Sequence, residues 1–523
     1  MWPHEQDICP VTLYLDSVKT YGFTSVAVRQ IPLTTVGILQ YIAPTIQRTE
    51  TGFQIKGLHF MTRKSNNLRK AIKLSIIEGS YAQIYASLSS IGTVFITKFA
   101  ILLNATPFHF GVLSAIGQFS QLFQPLGAII TKKLETRKSK TVRYAFIGRF
   151  LTLLLPVIPF YFMGDSAIYL FLTICLISTV LLAISGNMWI AWISDLIPLR
   201  FRGRFFSNRS VYLTIAAVLT GYIFGFFLDL FDSAEGGLAE KFKDSFSIGV
   251  YFTKENLPYA YTIIFGTAAA VGLYGLLILN KQPELPKKIE TESFIVLLLS
   301  PFKDRNYRKL IIFGCWWMLA IGIGAPFWQP FMISNLKMSM LELQIYGTFS
   351  TIGALFMLRP WGRFVDRFGN KPAMILAIIL GSVNPFIWLF AAPDNYWFLF
   401  IEAATSGVMW SGANVITTNF VLAVAPQGKQ QIYSGMYSAV TGLAIVVTML
   451  LSGMFLPPPM ELFGLHLLPE QVLFGLTSIL RLTAIIPLIG IFEHKAKPMM
   501  LVISHLNVFS KVKILQYSRW LFK

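Results

Sequence analysis

RPWGRFVDRFGNKP, Arg359 to Pro372, sets a short basic stretch between two long apolar runs. It places Gly362, Asp366, Arg367, Gly369 and Lys371 close together. The runs on either side, Leu343–Phe364 and Ala373–Phe390, approach the ~20 residues that a helix needs to cross a bilayer. A soluble domain has little reason to place such a turn between two segments that long. By the positive-inside rule the turn belongs on the cytoplasmic face.

Composition agrees with this reading. The chain of 523 residues is 54% hydrophobic and only 13% charged, against about 25% charged in ordinary soluble domains. In lipid only helices and closed barrels satisfy their own backbone, and these runs are continuous rather than alternating, so they read as helices. The formal charge of +19 comes largely from residues in short loops, which argues against a nucleic-acid partner. Cys9, Cys175 and Cys315 are scattered, with neither metal-ligand spacing nor a disulfide framework.

Twelve spans are expected. The first six are Ala71–Leu103, Phe110–Ile130, Val142–Met163, Ala167–Ile193, Ser207–Phe231 and Tyr259–Leu279. The second six are Leu310–Phe331, Leu343–Phe364, Ala373–Phe390, Tyr396–Val424, Ile432–Phe455 and Gln471–Phe492. The reading gives an extension (1–60), a first six-helix bundle (71–280), a cytoplasmic linker (281–309), a second bundle (310–492) and a basic cytoplasmic tail (493–523). The basic loops 132–143, 200–209, 281–309 and 359–371 fall on one side. The two halves repeat weakly: QPLGAIITKK (Gln124–Lys133) aligns with RPWGRFVDRF (Arg359–Phe368), and Pro198 with Pro426.

The Arg359–Pro372 segment closely resembles the short cytoplasmic hairpin motif of the major facilitator superfamily, and the six-plus-six layout is similar to that family's. The resemblance implies an all-α polytopic fold of two pseudo-symmetric six-helix bundles. It also implies a central cavity lined by helices 1, 4, 7 and 10, with helices 3, 6, 9 and 12 as supports. Residues Ala27–Gln47 resemble a late segment of EamA-type drug/metabolite permeases. They read as a fusion remnant or a misassigned start, with Met61 as a candidate start, the alternative being a working thirteenth helix.

In the family the hairpin carboxylate docks near the N-terminus of a helix in the opposite half. Here that implies a latch between Asp366 and the start of helix 5, near Arg202, Gly203 and Arg204, with Asp195 pairing locally to Arg202 or Arg204. The other latch has lost both sides, with Thr131 replacing the acid and only Lys429 kept opposite. The alternative is that Asp366 caps its own turn. Intramembrane charges are costly and usually functional or paired. The expected pairs are Arg149 with Glu78 and Arg481 with Glu402, as proton-coupling groups or as permanent supports. Gln83, Asn187, Trp317, Trp410 and Asn414 are candidates for the cavity wall.

No nucleophile–base pair, metal cluster or phosphate-cradling glycine loop stands out, so neither enzyme activity, a metal nor a cofactor is expected. The expectation is a monomeric secondary transporter of the cell membrane, both termini cytoplasmic. It would move a small solute by alternating access, coupled to protons or by facilitated diffusion, with lipid around it. The competing class is a non-transporting receptor, scaffold or lipid-handling protein on the same fold.

Overall fold

The computed structural model describes residues 47–49, 52–54, 56–124, 126–127, 130, 136–232, 237–284, 300–426, 430–462, 464–494 and 496–505. Apart from Gln47 the EamA-like segment lies outside these, as do Thr131, Lys429, linker residues 285–299 and tail residues 506–523. Residues 1–70 and 71–523 form separate compact units. In the first, Gln47–Thr49 pairs antiparallel with Gly52–Gln54.

The main helices of the first half are α1 (Lys56–Ser89, resuming as Val94–Leu102), α2 (Pro107–Gln121), α3 (Lys138–Leu151), α4 (Asp165–Leu196), α5 (Leu199–Phe231) and α6 (Leu257–Asn280). In the second half they are α7 (Arg305–Gly324), α8 (Met340–Phe368), α9 (Asn370–Ile387), α10 (Leu399–Val424), α11 (Gln430–Met454) and α12 (Pro469–Thr483, continued by Ile485–Ile489). Eleven helices among the described residues are long and apolar enough to cross a membrane. The described part of α2 is 15 residues long and is not among them.

Three local features depart from the sequence reading. First, α1 begins at Lys56 rather than Ala71, since no proline or glycine after Gly57 interrupts the helix on its polar approach to the membrane. Second, the basic hairpin is not a loop. Helix α8 continues through Arg359–Phe368 and the reversal is made at Gly369, φ 95°. That left-handed conformation is open to glycine and strained for other residues. Third, α1 breaks at Gly92 (φ 87°), while α7 ends at Gly324 and resumes at Trp328. These interruptions fall at matching positions of the two halves, a pattern that in transporters marks the neighbourhood of the binding site.

The pseudo-symmetry extends to single residues. Arg149 and Gly381 each lie eleven residues after the first residue of α3 and α9. Gly272 and Arg481 each lie eight before Asn280 and Ile489, the last residues of α6 and α12. Arg149 donates to the Gly272 carbonyl, and Arg481 to the Gly381 carbonyl at 2.9 Å. Each half thus bridges its third and sixth helices with one arginine facing one glycine, and the arginine sits on opposite helices in the two halves.

One apolar core joins the halves on the face away from the basic loops. It includes Phe99, Phe171 and Phe265 from the first half and Phe331, Trp388 and Phe474 from the second. Large apolar side chains such as Ile223, Leu355 and Ile486 stay exposed, as expected of surfaces that meet lipid tails.

Candidate functional site

In the first half Arg149 and Glu78 meet at 3.2 Å, both buried. A second guanidinium, Arg209, stands 4.0 Å from the other Glu78 oxygen. Arg209 Nε donates to the Ser75 carbonyl at 3.2 Å, and its guanidinium lies 4.5 Å from the Trp189 ring centre. Arg209 is about 15 Å along α5 from its first residue at 1.5 Å per residue, so it belongs to the interior and not to the basic loop that ended at it in the sequence reading. Beside it lies a cavity of about 490 Å³ walled by α1, α2, α4 and α5, with Gln121, Asn187, Trp189 and Arg209 in its lining.

The second half is arranged differently. The expected Arg481–Glu402 ion pair is not formed. Glu402 accepts a hydrogen bond from the Tyr346 hydroxyl at 2.9 Å, and Arg481 is turned to Gly381. The Arg481 guanidinium lies 6.0 Å from the Trp317 ring and 5.8 Å from the Trp410 ring. Depth along a helix places residues within the membrane but does not say which neighbour their side chains reach. Asn414 is exposed one turn beyond Trp410, and Gln83 donates within α1 to Ser87 at 3.5 Å.

On the basic-loop face the hairpin is tied to its own half. Glu493, four residues beyond α12, accepts hydrogen bonds from the Asn370 and Lys371 amides at 2.9 and 2.8 Å. It therefore caps the start of α9. In return Lys371 Nζ donates to the carbonyls of Ile489 and Ile491 at the end of α12. Glu284, four residues beyond α6, makes the equivalent cap at the start of α3 by accepting from the Lys138 amide at 2.9 Å. These acids lie outside the apolar runs, and their equal spacing after the sixth and twelfth helices emerges only from the observed helix ends.

Asp366, Arg367, Gly203 and Arg204 are exposed, and Gly362 is half-buried. Asp366 forms no ion pair with another described residue. Asp195 does not pair with Arg202 or Arg204. It takes Arg137, at the start of α3, at 2.7 Å, while Arg202 donates to the Ile197 and Ser194 carbonyls. Arg137 is nearer in space although distant in sequence.

The opposite face carries contacts between the halves. Asp229, 2% exposed near the end of α5, accepts from the Met340 and Leu341 amides at 2.7 and 2.8 Å. A carboxylate at the N-terminus of α8 meets unpaired amides and the positive end of the helix dipole together. Thr97 donates to Gln329 at 2.6 Å, and Gln329 donates to the Gly92 carbonyl at 2.8 Å. At Gly111 of α2 an added Cβ would lie 2.6 Å from the Met449 carbonyl of α11, so these helices touch backbone to backbone. Lys98 and Lys254 flank Asp232, each at 3.0 Å. Burial alone would raise the Asp232 pKa, but the two ammonium groups outweigh it and leave that carboxyl below its ordinary value.

Residues 318–498 match the family model of the Major Facilitator Superfamily. No curated protein matches the sequence. Among solved structures, nucleoside transporter NupG is similar at TM-score 0.59 and 13% identity, covering 82% of this chain and 100% of that one. The xylose transporter XylE from E. coli, in a partially occluded inward open conformation, is similar at TM-score 0.56 and 12% identity, covering 83% and 100%. A bacterial homolog of the human lysosomal transporter Spinster, inward-facing and unoccupied, is similar at TM-score 0.52 and 14% identity, covering 82% and 95%. At these identities likeness establishes architecture alone: the chain has the major facilitator superfamily fold, and its second half matches that family in sequence as well.

Proposed function

We propose that this chain is a secondary transporter moving a small solute across the cell membrane by alternating access. The basic loops and both termini lie in the cytoplasm, and the monomer is the working unit. The observation that carries the reading is one-sided closure. The Asp229 cap, the Thr97–Gln329–Gly92 chain and the α2–α11 contact join the halves on one face. On the other face Asp366 and Arg204 stand exposed. A rigid scaffold has no need of this asymmetry, whereas a carrier caught open to the cytoplasm requires it.

In the alternate state the Asp366 carboxylate approaches the start of α5 and closes the cytoplasmic side with Arg202, Gly203 and Arg204. Glu402, buried beside Tyr346, is the candidate proton-coupling group, and Trp317, Trp410 and Asn414 face the solute from the second half. The test is uptake by proteoliposomes of a panel of sugars, nucleosides, amino acids and organic acids, with and without a pH gradient. Saturable flux supports the reading. Solute binding with no flux for any class would favour a receptor or lipid-handling scaffold. Proton-driven flux that survives Glu402→Gln would remove Glu402 from coupling.

A further inference from the structure

We infer that the cavity of the first half binds a small organic anion, a carboxylate or a phosphate monoester, and that Arg209 reads its charge. The use of the site in transport rests on the reading above, but the binding does not. Two guanidinium groups, Arg149 and Arg209, bracket the single carboxylate of Glu78 at 3.2 and 4.0 Å. Arg149 is consumed by Glu78 and the Gly272 carbonyl. The cluster therefore keeps one positive charge at membrane depth, where an uncompensated charge is costly. Arg209 is the one charged side chain in the lining of the 490 Å³ cavity.

A second observation points the same way. Trp189 Nε1, in that lining, is buried with no hydrogen-bond partner among the described residues. The indole is a donor only, and leaving it unpaired costs free energy. An anion in the cavity answers the Arg209 charge, and it pairs with the indole N–H once Trp189 turns that edge into the lining. A cation would meet Arg209 repulsively, and a neutral solute would leave the charge unanswered. Gln121 and Asn187 offer further donors, while Leu182 and Ile190 supply an apolar wall. The volume lies within the roughly 300–1,000 Å³ of small-molecule sites. No carboxylate of the second half stands in the lining of this cavity.

The test uses the full-length protein in detergent without added lipid, with benzoate and phenyl phosphate as anions and benzamide as the neutral isostere. Thermal-shift titrations should show saturable stabilisation by at least one anion and none by benzamide. Arg209→Gln should weaken anion binding at least tenfold, Arg209→Lys less, and Trp189→Phe, which keeps the charge, several-fold. The inference is overturned if neither anion outperforms benzamide, or if Arg209→Gln binds the anions like the wild type. Stabilisation by phosphatidylglycerol but by neither anion would assign the charge to a lipid headgroup and also overturn it. Neutral-solute flux indifferent to Arg209→Gln would sink this inference and spare the transport reading. Anion binding without any flux would do the reverse.

Discussion

Glu493 is a single carboxylate that fixes where α9 starts. It holds the first amides of α9, and Lys371 beside it holds the last carbonyls of α12. Loss of a cap typically costs about 1 kcal/mol. Glu493→Ala should therefore lower the thermal stability of the purified protein, with Glu493→Gln between it and the wild type. Equal melting of all three would refute the cap. Asp232 makes a pH-dependent contribution. Its carboxyl is depressed below the ordinary value of 3.8, so its contribution is complete above that pH and is lost as pH falls through the lower folded value. Asp232→Asn should flatten that acid limb of a melting-temperature profile and be displaced downward across neutral pH. A wild-type profile throughout would count against the Lys98–Asp232–Lys254 contact.

Between elements, the closest approach is at Gly407 of α10, where an added Cβ would lie 1.8 Å from the Ser350 carbonyl of α8. Gly353 makes the reciprocal approach to the Ala404 carbonyl. Backbone cannot yield as a flexible side chain does. Gly407→Ala should push the helices apart at a cost on the order of 1–3 kcal/mol, and wild-type melting would refute it. Hydropathy made the helices legible, because their apolar runs reach membrane length. It set the turn within Arg359–Pro372 without locating it at Gly369, and it could not see the break at Gly92, a backbone conformation inside an otherwise continuous pattern. The site was legible where depth alone decides, as at Arg149 and Glu78. It was not legible where side-chain reach decides. Arg481 and Glu402 have suitable depths and different partners, while Arg209 was hidden at the end of a basic loop.

For the whole molecule, Asp229 is a joint that opening on the face away from the basic loops must break, since its acceptors lie in one half and its donors in the other. Asp229→Ala should shift the population toward that state. Spin labels at Glu255 and Lys337, both exposed near the sealed face, should report a longer distance distribution in the variant. An unchanged distribution would show that the apolar core alone holds the seal. Asp366→Asn should act the opposite way, raising labelling of cysteines engineered into the vestibule on the basic-loop face. Unaltered labelling would leave Asp366 as a cap of its own turn.

The arginine–glycine bridges of the two halves carry a lesson about ancestry. If both halves descend from one duplicated gene, each copy kept the bridge but settled the cation on a different member of the pair. Recombined bundles would therefore be unbalanced. A chimera joining the α3 segment to the α12 segment inherits two opposed guanidinium groups, and its reciprocal, α9 with α6, inherits none.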